Sequence, residues 1–169
     1  MAAVQNNVII VNEAEARWTM YPAIVASGGV STIQAGTPTK GADATGAGWT
    51  GAVLPMATGG GTTSDRFTGI AKNTSSDTAT VAGQVTLWLP LPGLIYACKA
   101  KLLTAVNTQA KLSTYFGKRV KFDLTSSLWS VDTETADAAA NALVIIGGDF
   151  NTSTVYFTYK STCSIWQIA

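Results

Sequence analysis

The sequence predicts a mainly β fold: one compact barrel-like or sandwich-like domain of short antiparallel strands, with one short helix and an extended N-terminal arm. Thr, Ser, Ala and Gly make up 77 of the 169 residues. Thr favours strands because its side chain branches at Cβ, whereas Gly and Ser favour turns. Beyond residue 66, short alternations of apolar and polar residues recur at regular spacing, which is typical of such folds.

The first 27 residues are predicted to form the arm, and residues 28–169 the β-rich domain. The arm has a single short apolar run, followed by an acidic segment and an aromatic segment that contains Trp18. Because it has no other core pattern, we expect residues 1–20 to lie across a neighbouring subunit and add a strand to its sheet. The run that would make this contact consists of Val8, Ile9, Ile10 and Val11.

In the first half of the domain, short strands are predicted at residues 30–34, 67–71, 78–82 and 84–89. The last of these places Val85, Leu87 and Leu89 on one face. The glycine-rich residues 41–63 are predicted as loops on either side of a short apolar piece at residues 53–56.

In the second half, strands are predicted at residues 94–102, 119–124, 143–146 and 154–166. Residues 143–146 are all apolar, so this strand is expected to be buried on both faces. A turn at residues 149–152 joins it to the last strand. Residues 107–116 are predicted as a helix that is capped by Asn107 or Thr108 and ended by Gly117, and residues 132–141 as a loop or helical turn.

The two cysteines, Cys98 and Cys163, both lie on apolar faces of predicted strands. Two buried free thiols are favoured over a disulfide, because the first residues do not have the pattern expected of a signal peptide and two cysteines are too few for a disulfide framework.

The composition argues against an enzyme. The chain has no histidine, which excludes the Ser-His-Asp and Cys-His nucleophile systems and His-ligated zinc. Asp132, Glu134 and Asp137 form an acidic segment that fits either a Ca²⁺ site or a solvated turn. The turn is favoured, because the glycine and distal glutamate of an EF-hand are missing. No cofactor and no metal are expected.

The net charge of +1, with only 12% charged residues, argues against a nucleic-acid partner. The longest apolar stretch, residues 88–98, is broken by prolines and falls short of a membrane span, so a soluble protein with no membrane partner is expected.

The positive charge is concentrated in one segment. Residues 99–121 contain six Lys and Arg residues and no acid. These side chains would either protect strand edges from unwanted pairing or contact an acidic partner protein. The ones selected as candidate contacts are Lys99, Lys101, Lys118, Arg119 and Lys121.

Tryptophans supply the remaining candidate contacts. Trp88 and Trp166 fall on the outward faces of their strands, and Trp18 lies in the arm. Exposed Trp is often an anchor in protein–protein interfaces, although packing beneath an arm or loop would also bury it.

Three segments carry a resemblance to a known family. In chain order they are Ala35-Gly36-Thr37-Pro38-Thr39-Lys40, which a Gly-rich span follows, then Phe67-Thr68-Gly69-Ile70-Ala71, and then Ala82-Gly83-Gln84-Val85-Thr86-Leu87-Trp88-Leu89-Pro90. This order resembles the β-rich decoration, or cement, proteins of tailed-bacteriophage capsids. The resemblance covers roughly residues 30–100.

The resemblance implies a non-enzymatic virion protein, made in the host cytoplasm and located on the capsid exterior. Its partners would be the major capsid protein and further copies of itself, as a dimer or trimer, and it would stabilise the capsid by bridging major capsid subunits. The alternative is a carbohydrate-binding or receptor-binding β-module of a virion, in which outward Trp and Tyr would stack on sugar rings.

Overall fold

The structure is a computed structural model that describes residues 8–12, 14, 16–23, 32–43, 49–76 and 83–160. In these residues the chain is mainly β. The strands are β1 (Ile9–Ile10), β2 (Trp18–Ala23), β3 (Thr32–Ile33), β4 (Pro38–Asp43), β5 (Trp49–Pro55), β6 (Phe67–Ala71), β7 (Ser75–Ser76), β8 (Gly83–Trp88), β9 (Tyr96–Lys99), β10 (Arg119–Val120), β11 (Phe122–Thr125), β12 (Leu128–Val131), β13 (Leu143–Asp149) and β14 (Thr154–Tyr159). A 3₁₀ turn (Leu103–Ala105) and helix α1 (Gln109–Ser113) complete the described elements.

The first half of the chain forms a small barrel in the strand order β2-β5-β4-β6-β8, which the pairing of β8 with β2 closes. We call it the half-barrel because it is built from the first half of the chain. Its pairs are antiparallel except β2 with β5, which meet in parallel at Ala23 and Val53. The apolar side chains Ile33, Val53, Ala71, Val85 and Leu87 pack together as its core. The prediction that residues 41–63 form loops was wrong where β4 and β5 run, because small residues here pair as strands.

At Gly69, strand β6 passes so close to the backbone of β8 that a side chain would not fit. Gly69 has φ of +145°, and a Cβ at this position would lie 2.1 Å from the carbonyl oxygen of Trp88. Next to it, the buried hydroxyls of Thr39 and Thr68 lie 2.8 Å apart, and the Thr39 hydroxyl donates to the Gly69 carbonyl. Hydroxyl side chains can therefore be buried here because they hydrogen-bond to one another and to the backbone.

The second half forms a five-stranded antiparallel sheet in the order β1-β9-β14-β13-β10, beside the β11–β12 hairpin. The main core lies on its inner face. Phe67 of the half-barrel stacks on Tyr159 with ring centroids 4.2 Å apart, and Phe122 meets Phe157 edge-on at 5.7 Å. This shared core joins β6 of the half-barrel to the sheet.

The N-terminal segment is part of this fold. β1 is an edge strand of the sheet and pairs with β9 of its own chain. Val8, Ile10 and Ala16 are buried in the main core, and β2 pairs with β8 in the half-barrel. The expectation of an arm without its own core contacts was therefore wrong for the described residues, because β9 offers its free edge to β1. The proposed boundary after residue 27 lies outside them.

Four further predictions need correction. The strand predicted at residues 119–124 is divided at Lys121 into β10 and β11, which belong to different sheets. Leu102, predicted to point inward, is exposed because β9 ends at Lys99. Residues 143–146 are buried on the inner face only. The predicted helix exists but is shorter, with Thr108 as its N-cap.

Candidate interaction surface

The outer face of the five-stranded sheet points away from the main core. Its residues follow from the strand register, which places Ile9 opposite Ala97, Ala97 opposite Tyr156 and Tyr156 opposite Gly147. A second outward row holds Val11, whose N–H bonds the Ile95 carbonyl, together with the pair Thr158 and Val144. We call these two rows, with the bulge residue Ile146, the outer face.

The outer face is apolar, and it is exposed at its edges although Ala97 within it is buried. Ile9 is 58% exposed, Val11 47% and Ile146 45%. Tyr156, Thr158 and Val144 are half-buried. At the β10 end, Phe116 is 46% exposed and precedes Gly117, whose N–H bonds the Ile145 carbonyl. A contiguous apolar surface of this kind marks an interaction site more often than scattered exposed residues do.

Charges of both signs border the outer face. At one end, the outward row Lys99, Thr154, Asp149 carries one charge of each sign. At the other end, Arg119 forms a bidentate ion pair with Asp137, with N···O distances of 2.9 and 3.1 Å. The exposed Lys160, which follows Thr158 on the same side of β14, adds a positive charge at this end.

A second exposed apolar surface lies where the chain leaves β9. Leu102 is 43% exposed and Leu103 52%. Leu103 borders an open groove of about 450 Å³ between this corner and the β11–β12 hairpin. We call Leu102, Leu103 and this groove the leucine corner. Its other walls are formed by Ala100, Lys101, Asp123, Thr125, Ser126, Leu128, Ser130 and Glu134.

The predicted basic segment is not one positive surface. The Lys101 ammonium lies 3.4 Å from Asp123 and 3.1 Å from Glu134. Its hydrogen bond with Glu134 and the nearby Asp123 raise the pKa of Lys101. The acids that neutralise the charges of Lys101 and Arg119 belong to residues 123–137, which the fold brings next to the basic segment. Lys101 and Arg119 therefore have acidic partners within their own chain, and a contact of these residues with another protein stays a prediction.

The remaining lysines also have local contacts. Lys99 donates to the carbonyl of Thr152. Lys118 lies over the ring of Tyr115, with its ammonium 4.5 Å from the centroid. Lys121 is half-buried beside the loop that contains Gly59. These residues are spread over several elements, so the structure does not bring them together as a single site.

Other predicted contacts lie at a small cleft between β1 and the half-barrel. Val8, Ile9, Ile10 and Trp88 line this cleft of about 190 Å³. The ammonium of Lys72 lies 4.6 Å from the centre of the Trp88 ring. Val8 and Ile10 are buried and Trp88 is half-buried, so only Ile9 and Val11 of the predicted run face solvent. Trp18 pairs with Trp88 through the backbone register, and Trp166 lies outside the described residues.

The acidic segment has its own partners. Burial raises the pKa of Asp132, but hydrogen bonds from the Thr135 hydroxyl and the N–H groups of Glu134 and Thr135 outweigh it and hold that pKa below its ordinary value. Glu134 pairs with Lys101, and Asp137 with Arg119. In the described part of the chain, no group of three His, Cys, Asp or Glu side chains is placed to hold a metal ion.

Cys98 is a free, buried thiol that donates to the Trp129 carbonyl at 3.3 Å. Burial raises its pKa to about 12, so it is an unreactive thiol. Cys163 lies outside the described residues.

The sequence predictions missed Ile146, Phe116 and Leu103 as surface residues. One signal was available for Ile146. The run at residues 143–146 demands burial on two faces, but a sheet of a chain this small has a core on one face only. An apolar run without a second layer indicates an interface.

Comparison with known proteins finds no matching family model, no matching curated protein and no matching solved structure. Among the described helices, none is long and apolar enough to span a membrane.

Proposed function

We propose that this chain is a non-enzymatic structural protein of a virion, which binds the outside of a phage capsid and stabilises it by bridging major capsid subunits. The observation that supports this proposal is the presence of two separate exposed apolar surfaces, the outer face and the leucine corner, on one small chain. A bridging protein needs at least two contact surfaces, whereas a simple binding module needs one.

The low charge of the chain agrees with this role. Only 12% of its residues are charged, and Lys101 at the leucine corner and Arg119 beside the outer face form ion pairs within the chain. A surface with few free charges is poorly protected from association. It suits a protein whose apolar surfaces are covered in an assembly.

The proposal is tested by adding the purified protein to capsids of its virus from which it is absent. We expect it to co-sediment with the particles and to raise their disruption temperature. Leu103→Lys should weaken binding at least tenfold, because it places a charge in an apolar contact. Ala139→Lys, which places the same charge on an exposed apolar residue outside both surfaces, is the matched control and should bind as the wild type does.

Two results would contradict the proposal. The first is a failure of the folded wild-type protein to bind the particles. The second is specific binding on a glycan array that is lost in Trp88→Ala and does not depend on Leu103, which would favour the carbohydrate-binding alternative.

A further inference from the structure

We propose that copies of this chain join head to tail, with an apolar corner around Phe116 of one copy seated in the leucine corner of the next. The two surfaces are different, so each copy can offer one and receive the other. The role of this contact on a particle rests on the proposed function. The contact itself forms between purified copies, so the two proposals can fail separately.

The surface that is seated lies where the turn after α1 meets β13. Phe116 is 46% exposed. The N–H of Gly117 bonds the Ile145 carbonyl at 2.8 Å, which brings Phe116 beside the bulge residue Ile146, itself 45% exposed. Two exposed apolar residues therefore stand together at this edge of the sheet. We call them, with the basic residues that follow Gly117, the Phe116 corner; it consists of Phe116, Ile146, Lys118 and Arg119.

The receiving surface is the open groove of the leucine corner. The outward side chains of the β11–β12 hairpin line part of this groove of about 450 Å³. Leu103 and Leu128 are the two large apolar side chains of its lining. Leu103 is 52% exposed, and Leu102 beside it is 43% exposed. An apolar side chain of another chain that enters the groove would remove this surface from water.

The charges of the two surfaces are complementary. The groove lining holds the carboxylates Asp123 and Glu134 and one lysine ammonium, which leaves one negative charge. The Glu134 side chain is 48% exposed, so it can accept a further donor. In the Phe116 corner, Arg119 is paired with Asp137, which leaves the positive charge of Lys118. Each surface would repel its own copy and attract the other one, which favours a head-to-tail contact.

The size of the apolar contact indicates a weak association. Phe116, Ile146, Leu102 and Leu103 are each about half exposed. With roughly 200 Å² for a large side chain, they present roughly 400 Å² of apolar surface in all. A specific interface buries at least about 1,000 Å² in total, so copies in solution should associate weakly and reversibly. On a particle, neighbouring copies are held close together, and their high local concentration would strengthen the same contact.

Sedimentation equilibrium of the full chain, measured up to millimolar concentrations, tests this contact. We expect an association that Phe116→Glu and Leu103→Lys each weaken at least tenfold, because each places a charge opposite one of the same sign. Ile9→Lys is the matched control, since it changes an exposed apolar residue outside both corners and should associate as the wild type does. Circular dichroism shows whether each variant is folded.

Mixing the two weakened variants tests the head-to-tail arrangement. Phe116→Glu keeps a normal leucine corner, and Leu103→Lys keeps a normal Phe116 corner. An equimolar mixture should therefore form a heterodimer through the one intact pair of surfaces, with an affinity close to that of the wild-type contact, although neither variant associates alone. A contact of one surface with its own copy would stay weakened in the mixture.

Three results would overturn the inference: a wild-type monomer at all concentrations, an association that either variant leaves unchanged, or a mixture that associates no more strongly than its components. Binding to capsids separates the proposals. A protein that associates but does not bind particles refutes the proposed function alone, and a protein that binds them but is always monomeric in solution refutes this inference alone.

Discussion

At the scale of single residues, Tyr96 is the side chain whose contacts are least complete. Its ring is buried and stacks on Phe157 with centroids 5.6 Å apart. Its hydroxyl has no hydrogen-bond partner among the described residues, and burial raises its pKa, so it stays protonated. A buried hydroxyl without a partner loses its hydrogen bonds to water without replacing them.

Tyr96→Phe should therefore stabilise the protein, by about 1 kcal/mol in the free energy of unfolding. Urea unfolding followed by fluorescence measures this. Tyr115→Phe is the control and should lose about 1 kcal/mol, because the Tyr115 hydroxyl donates to the Thr133 carbonyl at 3.0 Å. A loss of stability in Tyr96→Phe would show that the hydroxyl has a partner.

Three carboxylates make the fold sensitive to acid. The ion pair and hydrogen bonds with Arg119 lower the pKa of Asp137, hydrogen bonds from Thr152 and Asn151 lower that of Asp149, and the pKa of Asp132 is lowered as described above. A carboxylate whose pKa is lower in the folded state than in the unfolded chain stabilises the fold above the unfolded pKa. That stabilisation is lost as the pH falls through the folded pKa.

The urea midpoint should therefore stay level between about pH 7 and 5 and fall below about pH 4, where unfolded Asp residues begin to take up protons. Asp137→Asn removes one of the three groups, so its midpoint should fall less steeply over the same range. An unchanged or higher midpoint at about pH 3 would contradict this prediction.

At the scale of elements, the β11–β12 hairpin carries backbone strain. Its two-residue turn is made by Ser126 and Ser127, which have φ of 51° and 64°. Positive φ at both positions is the type I′ geometry that Asn-Gly favours, because other residues clash with their own backbone there. Serine is an unfavourable choice for both positions of this turn.

Replacing Ser126 with Asn and Ser127 with Gly should raise the free energy of unfolding by about 1 kcal/mol, because the same turn then forms with less strain. Differential scanning calorimetry measures the change as a higher melting temperature. A control exchange of Ser113 on α1 for Ala should have a smaller effect. An unchanged or lower melting temperature in the Asn-Gly variant would contradict the assignment of strain.

The elements also show what sequence patterns can predict. Alternation correctly placed Val85, Leu87, Tyr96 and Phe157 in the core, because a period of two fixes which face a strand buries. It did not show that the chain changes sheets at Lys121, since residues 119–124 keep the same alternation across the break. The strands β4 and β5 were missed because Gly-rich and Ala-rich strands have the composition of loops.

At the scale of the whole molecule, the leucine corner and the Phe116 end of the outer face lie outside what local patterns can predict. Leu103 lies beyond the end of β9 and Phe116 beyond the end of α1. Their exposure depends on where these elements end, and the sequence has no periodic pattern that shows it. The ion pairs of the basic segment could not be predicted from local patterns for a similar reason. Its counter-charges, Asp123 and Asp137, come from later residues that only the fold brings back.

Electron cryomicroscopy of capsids decorated with this protein tests the central claim of two bridging surfaces most directly. The account predicts that the outer face and the leucine corner of each copy are both covered by other chains of the particle, and that at least one of the two surfaces contacts the capsid shell. A map in which Ile9, Tyr156 and Ile146 face solvent, or in which Leu103 touches no other chain, would contradict it.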